Sequence, residues 1–258
     1  MQTVCIKIGG ATIDAPGLLE ELARSIKAMS QDTFAVVIHG GGKDIARQLA
    51  MMRKEFAFVE GMRVTDAETL RQVEMVLSGC VNKRIVNHLL LGGLNAVGLS
   101  GVDGNLISAV RMRVSGQDVG FVGSVARVNT ALLEICRTHH VVPVLSPVSR
   151  SDAGDIYNVN ADVAASEIAI ALNADHLIFI SNVSGVVVNN EVVRRIRLDD
   201  IETMVENEQV TGGMIPKLRS AADAVRRGAK RVHIAGWHGQ QTLGDELKVE
   251  TSSGTVIF

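Results

Sequence analysis

The sequence predicts an α/β fold of three layers, with helices on both faces of a mainly parallel central sheet. Three observations point to it. Short β-branched runs end in glycine, longer stretches with helical apolar spacing follow them, and the two kinds of segment alternate along the chain. Strand, glycine turn, helix, strand is the pattern of βαβ units.

The first unit opens with Val4-Cys5-Ile6-Lys7-Ile8 before Gly9-Gly10, and Leu18, Leu19, Leu22, Ile26 and Met29 then recur at helical spacing. Phe34-Ala35-Val36-Val37-Ile38 before His39-Gly40 begins the second unit, followed by Ile45, Leu49 and Met52. A long helix is predicted from Ala67 to Leu91 and a strand over Ala96–Leu99. From Leu106 to Val128 the pattern changes to short strands around Ser115-Gly116, a hairpin set attached to the sheet and a candidate lid. Helix and strand return at Asn129–His139 and Val141–Leu145, with another helix starting near Asn160. His176–Ile180 reads as a strand, Val186–Val188 and Glu191–Arg195 as a hairpin around Asn189-Asn190, and Gly213–Arg227 as a helix. Arg231–Ile234 and Thr255–Phe258 are the last strands. Two lobes sharing one sheet fit this order, residues 1–150 and 151–258.

Composition narrows the function. The chain has 258 residues, 47% of them hydrophobic, enough to bury a sizeable core. Aromatics are only 3%, so that core is aliphatic. Lys plus Arg is 26 against 28 Asp plus Glu, which gives no reason to expect nucleic acid or an anionic membrane as partner. Cys5, Cys80 and Cys136 are far apart in apolar stretches and read as buried free thiols, which fits a reducing, cytoplasmic setting. No signal peptide or membrane-length apolar run is visible.

Three glycine sites lie at strand ends or helix starts: Gly9-Gly10, Gly40-Gly41-Gly42 and Gly212-Gly213. Such turns let backbone N–H groups approach phosphate or carboxylate oxygens. The one Gly-Lys step, Gly42-Lys43, is followed by Asp44, so no P-loop is formed; Ile45 stands where a dinucleotide fingerprint needs glycine. No metalloprotease or serine-hydrolase signature occurs.

Lys7 interrupts an apolar run and is costly there unless it faces a polar cleft; the alternative is a solvated edge strand. Lys217 lies off the apolar stripe Met214, Leu218, Ala221, Ala222 and Val225, where a solvated helix lysine is the usual reading and Lys217 by itself does not outweigh it. In Asn158-Val159-Asn160-Ala161-Asp162 the two asparagines share a face if extended, and Asn160 can cap the next helix. Arg63 precedes a helix capped by Thr65 or Asp66 and is either a surface residue or a bidentate grip on a carboxylate.

Together these stretches resemble the amino acid kinase family. The resemblance rests on Lys7-Ile8-Gly9-Gly10, His39-Gly40-Gly41-Gly42, Gly61-Met62-Arg63-Val64-Thr65-Asp66, Glu74-Met75-Val76-Leu77, Val81-Asn82-Lys83, Asn158-Val159-Asn160-Ala161-Asp162 and Gly212-Gly213-Met214-Ile215-Pro216-Lys217. They run in the family's order over nearly the whole chain. The resemblance implies ATP-dependent phosphorylation of the γ-carboxylate of N-acetyl-L-glutamate, a step of arginine biosynthesis, with ATP and Mg²⁺ and no protein cage for the metal. It implies catalytic roles for Lys7, Lys217 and Asp162, with the aspartate orienting both lysines. Gly41, Gly42, Arg63, Asn158 and Asn160 would bind the acceptor. Gly9, Gly10, Asn182, Val183, Ser184, Gly185, Val186, Val187, Gln209, Val210 and Thr211 would hold the nucleotide. The N-terminal lobe would take the acceptor and form a homodimer, and the C-terminal lobe would take ATP.

Asn182 departs from the aspartate usual in the family's nucleotide loop. A related branch, acting on aminoadipate or glutamate held on a carrier protein, remains an alternative, and an amino-acid sensor of the same fold is a non-enzymatic one. The triad Lys7, Asp162, Lys217 argues against a sensor. Arginine-inhibited members carry an extra N-terminal helix that builds a hexamer. Here the first strand begins within a few residues of Met1, so an arginine-insensitive dimer is expected.

Overall fold

β-Branched runs and helical stripes fold as their spacing requires. A computed structural model describes residues 1–211, 214–248 and 252–258. Gly212 and Gly213 lie outside the described residues. The strands are β1 (Gln2–Ile8), β2 (Thr33–His39), β3 (Phe58–Val59), β4 (Met62–Arg63), β5 (Ala96–Ser100), β6 (Ile107–Val114), β7 (Gln117–Val128), β8 (Val142–Ser146), β9 (Val148–Arg150), β10 (Ile156–Val159), β11 (His176–Ser181), β12 (Val187–Val188), β13 (Glu191–Val192), β14 (Arg195–Ile196), β15 (Val232–Gly236) and β16 (Thr255–Ile257). The helices are α1 (Gly10–Ile13), α2 (Leu18–Met29), α3 (Gly42–Met51), α4 (Ala67–Glu74), α5 (Asn82–Leu91), α6 (Ala131–Thr138), α7 (Ala161–Ala171), α8 (Asp200–Glu206), α9 (Met214–Arg226) and α10 (Thr242–Leu247).

Among the described residues the main sheet has eight strands in the order β14-β16-β15-β11-β1-β2-β8-β5. The strands from β15 to β5 are parallel, and β16 is antiparallel to β15. A parallel sheet is buried on both faces, so its strands read as continuous apolar runs. β1 illustrates this. Val4, Ile6 and Ile8 pack with residues of α2, α3 and α5, while Cys5 packs with residues of α7 and α9. The chain leaves β1 for β2 on one side and later returns to β11 on the other. That reversal creates a crevice at the carboxyl ends of the strands, the place where open α/β sheets bind ligands.

The predicted hairpin set is present. β6 and β7 join at Ser115 and Gly116, both left-handed at φ 47° and 77°, as a two-residue hairpin turn requires. With β9 and β10 they close a small four-stranded sheet beside the main one. Thr65 bonds to its rim, its N–H donating to Val119 O at 2.9 Å and its carbonyl accepting from Phe121 N at 2.7 Å.

Three expectations are adjusted. The helix from Ala67 to Leu91 is continuous, but Met75–Val81 is wound as a π-helix, a rare form often found beside functional sites. Cys80 is exposed, unlike buried Cys5 and Cys136. Leu77 and Val81 take the inward positions of that stretch and leave Gly79 and Cys80 outside. The hairpin at Asn189-Asn190 is shorter than expected. Its second strand stops at Val192, and Arg195 joins the main sheet in β14.

Candidate active site

Lys7 lies on β1, between β11 and β2, so the edge-strand reading of this lysine does not hold. Its side chain emerges at the carboxyl end of the strand on the α7 face. The start of α7 is fixed by Asn160, whose Oδ1 accepts from Asp162 N at 2.8 Å and Val163 N at 3.3 Å. This cap sets Asp162 in the first turn, where its Oδ1 meets Lys7 Nζ at 2.7 Å. A carboxylate there also complements the helix dipole. Asn160 therefore has the structural job its residue type predicts, and the same segment presents Asp162 to the crevice.

Lys217 reaches the crevice from α9 and donates to Ser181 Oγ at 3.4 Å, not to Asp162. Ser181 Oγ in turn donates to Asn182 Oδ1 at 3.3 Å. Lys7, Gly9, Asn160, Asp162, Asn182 and Lys217 line one cavity of about 490 Å³, with Phe179, Ile180 and Ile234 as apolar wall. Two ammonium groups and a helix start around one cavity suit a polyanion. Among the described residues no group of three or more His, Cys, Asp and Glu side chains could hold a metal ion.

Beside this cavity lies a second polar group. Gly40 N donates to Ile8 O at 3.0 Å, which ties the glycine turn after β2 to the one after β1. A Cβ on Gly41 would lie 2.5 Å from Leu77 Cδ2 and 3.3 Å from Val81 Cγ2. The π-wound stretch thus packs directly on this glycine. Gly42 O accepts from Arg63 Nη2 at 3.2 Å. Arg63 is 8% exposed, its Nη1 is buried without a partner, and burial disfavours its charged form. Thr65 Oγ1 donates to Arg63 O at 2.7 Å and accepts from Asn158 Nδ2 at 3.2 Å. Gly41, Gly42, Arg63 and Asn158 thus come together next to the cavity.

The remaining nucleotide candidates are more dispersed. Val183, Ser184, Gly185, Val186 and Val187 follow Asn182 at the end of β11 but do not line the cavity. Val186 N donates to Thr255 Oγ1 at 2.8 Å. Gln209, Val210 and Thr211 connect α8 to α9, and Val210 is buried in the core. Gly10 begins α1, directly after cavity-lining Gly9.

Some residues had no role assigned from the sequence. Asn82, fully buried, donates through Nδ2 to Val144 O at 2.8 Å and approaches Leu99 O and His39 Nε2 at 3.2 Å each. With Asn82 as donor, His39 carries its proton on Nδ1 and gives it to Gly40 O at 2.8 Å. Burial pushes the His39 imidazole down to about 4, so the ring is neutral near pH 7. A polar residue inside an apolar helix stripe was the available signal for Asn82. Phe56 and Phe58, which stand over Arg63, carried no such signal.

The sequence profile of the amino acid kinase family matches residues 2–236. The chain belongs to the amino acid kinase family. This family member is 43% identical over 242 residues to a protein named acetylglutamate kinase from Methanopyrus kandleri, an alignment covering 91% of this chain and 95% of that one. It is 37% identical to a protein of the same name from Clostridioides difficile, over 99% of this chain and 91% of the other. Among solved structures, N-acetylglutamate synthase from Neisseria gonorrhoeae, in complex with coenzyme A and N-acetyl-glutamate, superposes with a TM-score of 0.87. At 24% identity that likeness speaks for the fold alone, and this family member spans 59% of the synthase. Among the described residues no helix is long and apolar enough to cross a membrane.

Proposed function

We propose that this chain transfers the γ-phosphoryl group of ATP to the γ-carboxylate of N-acetyl-L-glutamate, forming an acyl phosphate in arginine biosynthesis. The observation that carries the reading is the Lys7–Asp162 pair facing Lys217 across one cavity. Relatives named acetylglutamate kinase over almost the whole chain support it.

A carboxylate is already ionised at neutral pH, so the acceptor needs no general base. Catalysis is then positioning plus stabilisation of charge on the moving phosphoryl group. Lys7 and Lys217 supply cations, and Asp162 holds Lys7 in place. Arg63 and Asn158 take the acceptor's carboxylates beside Gly41 and Gly42, and Asn160 supports the site by capping α7 and setting Asp162. The nucleotide is held by Gly9, Gly10, the Asn182–Val187 loop and Gln209–Thr211. Magnesium would come with the phosphates rather than be held by a cage of this chain's residues, and would supply further positive charge there.

Residues 1–150 form the acceptor lobe and the remainder the ATP lobe in this reading. Pairing of β10 with β7 and β9 argues for moving that boundary to about Asn160. The enzyme works in the cytoplasm as a homodimer; light scattering tests the assembly.

The test of the function is ATP-dependent acyl phosphate formation trapped with hydroxylamine. N-acetyl-L-glutamate, glutamate, succinylglutamate and carrier-linked aminoadipate are compared as acceptors. Preference for the carrier-linked acceptor would move the chain to the related branch. No turnover with any acceptor, despite amino-acid binding, would make it a sensor.

A further inference from the structure

Arg63 is held in an unusual way for a buried cation. Among the described residues no carboxylate pairs with it. Its guanidinium carbon instead lies 4.3 Å from the centre of the Phe56 ring and 4.7 Å from that of Phe58. The two rings meet edge to face, 5.9 Å apart at 83°. Both are substantially exposed, Phe56 at 40% and Phe58 at 54%. Exposed aromatics are rare in a chain that is only 3% aromatic.

The chemistry explains the choice. A carboxylate partner would neutralise Arg63 and occupy its in-plane N–H donors. An aromatic face stabilises a cation from above and leaves those donors free. One donor, Nη2, is anchored on Gly42 O, and Nη1 is buried with no partner. A planar fork with one arm fixed and the other buried without a partner is suited to a planar carboxylate.

We infer that Phe56 and Phe58 are positioning residues that clamp the Arg63 guanidinium and aim its open donor at the acceptor's carboxylate. This rests on the acceptor reading proposed above. Neither ring lines the cavity between Lys7 and Lys217, so they govern acceptor affinity.

The test uses the full chain with Phe56→Leu, Phe58→Leu and both together. KM for N-acetyl-L-glutamate rises roughly 2- to 5-fold for each loss, the scale of an exposed cation–π contact, and further in the double variant. KM for ATP and kcat stay within about twofold. Phe56→Trp, which keeps a ring, restores acceptor KM. An unchanged acceptor KM in the double variant overturns the inference, and so does a parallel change in KM for ATP. Isothermal titration with N-acetyl-L-glutamate alone separates this from the broader reading. Wild-type protein that neither binds nor phosphorylates it removes the acceptor assignment. The clamp is then judged on the Arg63 guanidinium proton resonances. Ring-current shifts that vanish in the double variant support it, and resonances unmoved by the substitutions overturn it.

Discussion

Glu246 and Arg63 are both buried charges, yet their surroundings are opposite. Glu246, on α10, is fully buried and accepts from Ser252 Oγ at 2.7 Å, Gly254 N at 2.9 Å, Ser253 N at 3.0 Å and Ser253 Oγ at 3.1 Å. His233 Nδ1 lies 3.2 Å away, and its Nε2 is 2.9 Å from His176. Burial alone would raise this carboxyl, but hydrogen bonds from His233, Ser252 and Gly254 outweigh it and hold it at about 2. Arg63 has one backbone acceptor, two aromatic faces and an open donor. A charge surrounded by the chain's own donors fastens the chain to itself. A charge left short of partners beside a crevice is available to a ligand.

The sharpest way to break this contrast is to remove Glu246. Glu246→Ala leaves buried donors and a histidine unpaired, and should cost about 3–5 kcal/mol of stability in urea unfolding. A loss below about 1 kcal/mol would mean the network is not structural. Lys7→Ala and Lys217→Ala should do the reverse, cutting kcat by roughly 10²–10³ while the unfolding midpoint stays close to wild type. Near-normal turnover in both would sink the assignment of the phosphoryl site. Arg63→Ala comes next, with acceptor KM rising about 10- to 100-fold, the scale of one charge-assisted hydrogen bond, and KM for ATP little changed. A drop in kcat alone would place Arg63 in the wrong step.

The contrast also carries a pH dependence. His39 and His176 are lowered from 6.5 to about 4, chiefly by burial. Between those values the unfolded chain binds more protons than the folded one, so stability falls as pH drops below about 6.5. Glu246 adds a second limb. Its contribution is complete above its unfolded value of 4.5 and is lost as pH falls toward about 2. Urea midpoints from pH 7.5 to 3 should decline in these two stages, and Glu246→Gln should flatten the lower one.

Much of the molecule was legible in its sequence because the signals were local. Runs such as Val4–Ile8 and Phe34–Ile38 are apolar throughout since both faces of a parallel strand are covered. Lys7 stood out for the same reason, as the one residue that broke its run. Asn160 was readable because capping depends only on the residues beside it. What escaped depended on long-range contact. The π-winding at Met75–Val81 changes which carbonyl each N–H meets, and no residue type marks it. Cys80 sits among apolar neighbours, but helical phase turns it outward. Asn82 gains its importance from three strands distant in sequence, through His39, Leu99 and Val144. Phe56 matters through Arg63, seven positions on, after a turn whose Glu60 and Gly61 are both left-handed.

The bond from Gly40 N to Ile8 O has a consequence for motion. It joins the two glycine turns into one slab, and Asn82 braces that slab through His39 from beneath. If the crevice narrows around its substrates, the travel must be made by the rim, by the turn at Glu60-Gly61 and by α9 with Lys217. In hydrogen exchange the Gly40 amide should then be among the slowest in the crevice, with or without ligand, while amides of the rim slow down only when both substrates are bound.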